Sequence, residues 1–189
     1  AYSFQLTALS AAGEGDRSSV LVQSTSPVAP AAPASTHQSY STITLSWSAP
    51  GVTTGGATTG YRVYMNDGTA GGAVMDTVSA GRSEGAAAKY NGTGSTATKA
   101  VIAGLAAGAE YKFTLAALNG AGESNVSAVY ARSTALLAPT LLKSTLQTTT
   151  TLVMAWTAPA VTTGSAVSGY KIYKYAHTAL FSDEQRAAL

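Results

Sequence analysis

The chain has 189 residues, of which 46% are hydrophobic and 11% charged, with a formal net charge of +2. No stretch concentrates Lys or Arg, so the electrostatic footprint of a nucleic-acid binder is missing, and the absence of cysteine excludes disulfides and Cys-based zinc sites. The low charge argues against charge-rich disorder, and no apolar run approaches the roughly 18–20 residues that span a membrane.

The first segment opens on Tyr2-Ser3-Phe4-Gln5-Leu6, with Ala rather than Met at position 1 and no signal-peptide pattern, so the true start of the polypeptide is expected to lie upstream or to have been processed away. The same pattern returns as Tyr111-Lys112-Phe113-Thr114-Leu115, an offset of 109 residues. At that offset Gly13-Glu14 meets Gly122-Glu123, Ala29-Pro30 meets Ala138-Pro139, and Trp47 meets Trp156. Val52-Thr53-Thr54-Gly55 meets Val161-Thr162-Thr163-Gly164, and Gly60-Tyr61 meets Gly169-Tyr170. Without a gap, 29 of the 63 positions from Tyr2 to Tyr64 are identical to their partners, so the chain reads as a repeat array.

Joints of Pro and small residues follow at Ser26–Pro33 and, one period later, at Leu136–Pro139; short and stiff, they hold neighbours in a limited range of orientations. Between them, period-two alternation marks strands. Ile43, Leu45 and Trp47 form one apolar face, and Tyr61, Val63 and Met65 a second. Val74, Met75 and Val78 suggest a short edge strand. Ile102 and Leu105 end a further strand, Tyr111, Phe113, Leu115 and Ala117 form another, and Val129 lies in the last. Turn chemistry separates them at Asn66-Asp67-Gly68, Ala70-Gly71-Gly72, Asn91-Gly92 and Asn119-Gly120. Many short strands with turns and no helical period predict an all-β sandwich. After Tyr173 the repeat register is lost, and Ser182-Asp183-Glu184-Gln185 reads as a capping box opening a short helix over 183–189.

The pattern resembles the fibronectin type III domain. The carrying residues are Leu45-Ser46-Trp47-Ser48-Ala49-Pro50 (end of strand B) and Gly60-Tyr61-Arg62-Val63-Tyr64 (strand C). Gly104-Leu105 with Tyr111 six residues after the Leu resembles the tyrosine corner, and Tyr111–Asn119 followed by Gly122 resembles strand F and its loop. The resemblance implies an immunoglobulin-like β-sandwich in tandem repeats. Residues 1–27 are then the strand F–G part of one unit, 28–135 a complete unit, 136–175 the strand A–C part of a third, and 176–189 a non-repeat tail. The period is longer than usual for the family, with the excess between Met65 and Lys99, a stretch rich in Gly and Ala.

Within that frame Trp47, Tyr61, Leu105, Tyr111 and Phe113 are expected in the structural core, as are Trp156 and Tyr170 one period on. Tyr111 is expected to bond its hydroxyl to backbone near Leu105, and Tyr40, Tyr64, Tyr90 and Tyr130 to lie on half-buried sheet faces rather than stack on sugars. No catalytic constellation is visible. The histidines, His37 and His177, stand far apart, and no His-Glu-x-x-His pattern occurs. Gly92-Thr93-Gly94-Ser95 lacks the Gly-Lys-Ser/Thr ending of a phosphate loop, and Asp67 and Asp76 are too sparse for an EF-hand loop. Gly15-Asp16-Arg17 is not the Arg-Gly-Asp motif through which some family members bind receptors. Two sequons, Asn91-Gly92-Thr93 and Asn125-Val126-Ser127, are candidate N-glycosylation sites.

The expectation is therefore a non-catalytic structural or interaction module without cofactor or metal. Its partners are other protein domains, neighbouring repeats or subunits of an assembly; nucleic acid, a membrane span and a small-molecule ligand are not expected. A spacer or filament component at the cell surface or outside the cell leads. An intracellular cytoskeletal or ciliary scaffold, and an accessory spacer in a secreted polysaccharide-acting enzyme, are the alternatives. Late strands of one copy completing early strands of the next would give a head-to-tail polymer, but a longer repeat chain accounts for the pattern more simply.

Overall fold

The computed structural model describes residues 1–51, 56–66 and 89–175, and all its regular elements are strands. The expected edge strand at 74–78, the turns at 66–68 and 70–72 beyond Asn66, and the helix over 183–189 lie outside the described residues.

In the first segment β1 (Tyr2–Phe4) pairs antiparallel with β4 (Leu21–Gln23), and β2 (Leu9–Ser10) pairs with β3 (Gly13–Glu14). Two sheets then make the central unit. One has the order β5 (Ala34–Gln38), β6 (Thr42–Ser46), β9 (Lys99–Ala103). The other runs β11 (Gly122–Glu123), β10 (Glu110–Asn119), β7 (Gly60–Met65), β8 (Tyr90–Asn91), with β12 (Tyr130–Ser133) also on β10. This is an immunoglobulin-like β-sandwich. Beyond it β13 (Thr140–Gln147) and β14 (Leu152–Thr157) form a hairpin.

The core lies between the two sheets and follows from the alternation. Ile43 and Leu45 on β6 and Ala100 and Ile102 on β9 face Tyr61 and Val63 on β7 and Tyr111, Phe113, Leu115 and Ala117 on β10; all are buried in one cluster. The outer face of the β7–β10 pair departs from simple alternation, because Thr114, Ala116 and Tyr64 are buried too. Thr114 stands opposite Tyr64 and Ala116 opposite Arg62, so short side chains on β10 lie beside long ones on β7.

Two strand ends differ from the sequence reading. β9 stops at Ala103, because Gly104 turns the chain at φ 75°, and Leu105 enters the core from the turn instead. The last strand begins at Tyr130, leaving Val129 exposed.

The pairings obey the sequence offset. Tyr2↔Gln23, Ser3↔Val22 and Phe4↔Leu21 are the pairs Tyr111↔Arg132, Lys112↔Ala131 and Phe113↔Tyr130 moved by 109 residues. At the other end Ala34↔Ser46, Ser35↔Leu45, His37↔Thr44 and Gln38↔Ile43 return as Lys143↔Ala155, Ser144↔Met154, Leu146↔Val153 and Gln147↔Leu152, bulge included.

Candidate functional site

Three features of the central unit hold chemistry or contacts: an aromatic corner, a buried-hydroxyl ladder along β10, and the poles where the flanking segments meet it. At the corner, Trp47 is 8% exposed and meets Tyr61 edge-on at a centroid distance of 5.4 Å, with Tyr90 at 6.3 Å. The Trp47 Nε1 is buried, and no hydrogen-bond partner for it stands among the described residues. Tyr111 is buried, and its hydroxyl accepts the Ala106 N–H at 2.9 Å, which fixes the turn after Leu105 to the start of β10. Tyr111→Phe leaves that N–H unpartnered and is expected to lower unfolding free energy by about 1–2 kcal/mol. Urea titration followed by circular dichroism reads it, and an unchanged midpoint removes the corner from the stability account.

Burial raises the Tyr61 pKa above the ordinary tyrosine value. The unfolded chain then loses this proton first as pH rises, so the folded state holds more protons. Stability from this group is complete below about pH 10 and declines above it. Melting temperatures across that range are expected to fall less steeply in Tyr61→Phe; identical slopes refute the assignment.

The hydroxyl ladder was not anticipated from the sequence. Ser127 and Ser124 accept the β10 amides of Leu115 and Ala117 at 3.0 and 2.9 Å, and Thr134 accepts the amide of Ala109, just before β10, at 3.1 Å. These hydroxyls satisfy donors that β12, which pairs only with residues 110–113, cannot reach. The repeat held a signal: Ser18, one period before Ser127, accepts the Leu6 N–H at 3.0 Å, the Leu115 counterpart. On the outer face Glu123 takes Arg62 at 2.9 Å and the Tyr64 hydroxyl at 2.7 Å. The Arg62 pKa is raised: desolvation works against the cation, and Tyr64 and Glu123 outweigh it.

The remaining expected residues are placed as follows. Phe113 is fully buried and Leu105 is buried. Trp156 meets Tyr170 edge-on at 5.1 Å, repeating the Trp47–Tyr61 geometry, but Trp156 is only half-buried and Tyr170 is 42% exposed. They differ from the expected core because no second sheet lies over β13 and β14 among the described residues. A hollow of about 270 Å³ lies there, between Trp156, Tyr170, Leu142 and Tyr173. Of the tyrosines expected on half-buried faces, Tyr90 and Tyr130 are half-buried, Tyr64 is buried, and Tyr40 is exposed in a turn. The Asn91 sequon is open: Asn91 and Thr93 are exposed, and Asn91 Oδ1 accepts the Thr93 hydroxyl at 2.6 Å. In the other, Asn125 is exposed but the Ser127 hydroxyl is buried and committed to β10. Among the described residues no group of three His, Cys, Asp or Glu could hold a metal, and no helix is long and apolar enough to cross a membrane.

At one pole Asn119 Nδ2 donates to the carbonyls of Thr25 and Gly56, at 2.9 and 3.2 Å. At the other, the loop 161–165 meets the turn 106–110, beside a cleft of about 520 Å³ that includes Glu110, Arg132, Leu136 and Ser168.

The fibronectin type III domain model matches residues 28–132. The chain is 34% identical over 162 residues to chitinase A1 of Niallia circulans, covering 80% of this chain and 20% of that protein. It thus spans about a fifth of the length of the curated relative it matches. Among solved structures, the domain of human fibronectin type III domain containing protein 3 is 26% identical, with a TM-score of 0.46, covering 60% of this chain and 91% of that one. A human "forth FNIII domain" is 18% identical with a TM-score of 0.49, covering 62% and 87%.

Proposed function

The chain belongs to the fibronectin type III family, and on that premise we propose that it is a non-catalytic spacer within a longer polypeptide that acts on an extracellular polysaccharide. Domains of this family are, in general, non-catalytic modules. The observation that carries the reading is the likeness to a stretch amounting to a fifth of a chitinase. The chemistry on the polymer would lie elsewhere in the polypeptide, and the repeats would set its reach.

Residues 28–135 are then one complete unit, 1–27 the closing strands of the unit before, and 136–175 the opening strands of the unit after. Three recurrences support this division: the gapless 109-residue repeat, the strand registers that shift by the same number, and the edge-on Trp–Tyr pair at both positions. The exposed apolar side chains of the flanks, such as Phe4 and Leu21 at one end and Leu142 and Ile172 at the other, fit it too: half of a sandwich leaves its inner face bare.

A free-standing structural array at the cell surface is the second reading, and the gapless repeat favours it. Sugar at Asn91, the more open of the two sequons, would belong with a secretory route in either case.

Peptide mapping of the native polypeptide by mass spectrometry tests the proposal. Peptides of a catalytic domain in the same chain, with further copies of the repeat, are the expected result. A native chain made of repeats alone would overturn the enzyme-spacer reading in favour of the structural array.

A further inference from the structure

The junction between the central unit and the segment after it is a specific fit rather than a loose tether. The Gly108 carbonyl accepts two backbone amides from the following segment, Thr162 N at 3.1 Å and Gly164 N at 2.9 Å. Ser165 N likewise donates to Ser133 Oγ at 3.3 Å, and in return Glu110 N donates to Thr163 Oγ1 at 3.0 Å. The loop 161–165 therefore straddles the turn 106–110 with hydrogen bonds on both sides.

Two glycines permit the approach. A Cβ on Gly164 would stand 2.7 Å from the Gly108 carbonyl oxygen, a backbone atom that cannot swing aside. Gly108 itself has φ 62°, and a Cβ there would meet Leu136 at 2.9 Å and the Ala160 carbonyl at 3.0 Å. Glycine at both positions is what lets two main chains come this close.

The other pole carries a related contact. Ser24 and Gly56 are the partners of Ser133 and Ser165 at the 109-residue offset, and Ser24 Oγ lies 3.3 Å from where a Gly56 Cβ would be. The same serine thus faces the same loop position on both sides of the central unit. The loop sequence also recurs, since Val161-Thr162-Thr163-Gly164 repeats Val52-Thr53-Thr54-Gly55.

We propose that the turn 106–110 is a docking surface for the Thr-Thr-Gly loop of the next unit, and that this clasp, repeated at each joint, locks successive units into one orientation. The inference rests on the tandem-unit reading above and adds that the spacer is stiff. Pro-rich joints alone restrict reach; interfaces between domains of one chain otherwise leave them free to move. The clasp replaces that freedom with three hydrogen bonds to one turn and a fourth to Ser133 on β12.

The absence of native cysteine allows a direct measurement on the full chain. Spin labels at Lys99→Cys and Lys143→Cys, both exposed, report the distance between the central unit and the following hairpin by pulsed electron resonance. A narrow distance distribution is expected, with Gly164→Val broadening it about twofold or more as the joint relaxes to the wider range of orientations that its Pro-rich linker allows. Thr163→Ala, which deletes one bond and adds no bulk, is expected to broaden it less, with the circular dichroism of the central unit unchanged. A distribution already broad in the parent, or unchanged in both variants, overturns the clasp. Either outcome leaves the spacer reading to its own test, since a flexible array is still non-catalytic; a catalytic domain missing from the peptide map would leave the clasp untouched.

Discussion

Trp47→Ala is expected to lower the unfolding free energy of the central unit by about 3–5 kcal/mol, the usual cost of removing a large buried ring. Trp47 stands against Tyr61 and Tyr90 in the core cluster. Removing it opens a cavity lined by side chains held from both sheets, which cannot close in on it without breaking strand register. Against the roughly 5–15 kcal/mol by which such domains are stable, that loss removes a large share of the total and, at the low end of the range, unfolds the unit. Trp47→Phe retains a ring and loses no hydrogen bond made to a described residue, so its cost should be much smaller. The repeat supplies an internal control. Trp156→Ala removes the same residue type from the corresponding place, where the ring is half-exposed, and the central unit should melt as before. Chemical denaturation of the three variants decides it: a loss under about 1 kcal/mol for Trp47→Ala, the size of an average substitution, would strip Trp47 of its anchoring role.

How much of this was legible in the sequence depends on which force set each position. Alternation along 43–47, 61–65 and 111–117 follows from burial on one face of a strand, so the central strands and their inward residues could be read directly. The Tyr111 hydroxyl went to backbone one residue from Leu105, as the corner spacing implied. Hydroxyls that satisfy backbone donors leave no hydrophobic period. Ser124, Ser127 and Thr134 follow no apolar alternation, and only their buried positions reveal them as partners of β10 and of Ala109 just before it. The Glu123 contacts with Arg62 and Tyr64 bridge residues about 60 apart in the chain, and no local pattern encodes that. Composition likewise could not distinguish the bare faces of the flanks from a packed core. Trp156 and Tyr170 have similar sequence surroundings to Trp47 and Tyr61 and yet a different exposure, because burial depends on the sheet opposite.

That difference makes Gly60 and Gly169 the most informative pair of sites in the chain. They are repeat partners, each followed by a tyrosine. Gly60 begins β7, and a Cβ there would stand 2.5 Å from the Gly92 carbonyl oxygen and 3.1 Å from Gly94 N. Both neighbours are main chain. Gly92 cannot retreat without losing the 2.9 Å bond from its N–H to the Tyr61 carbonyl, and β7 is fixed on its other side by the Gly60↔Leu118 pairing with β10. Gly60→Ala is therefore expected to cost about 3 kcal/mol, at the upper end of what one inserted methyl does in a tight site. At Gly169 nothing lies within 4 Å of the corresponding Cβ position, so Gly169→Ala should leave the melting curve of this chain where it was. Gly120→Ala, also with open space, separates the effect of contact from the general effect of losing a glycine in the unfolded chain. Should Gly60→Ala melt with Gly120→Ala, the approach of β7 to the Gly92 turn is looser than 2.5 Å implies, and glycine at position 60 answers to something other than space. Should Gly169→Ala become costly once the repeat is extended beyond Leu189, the added strands have brought a main chain against Gly169 as Gly92 stands against Gly60. That result would be physical support for reading 136–175 as the opening half of a third sandwich.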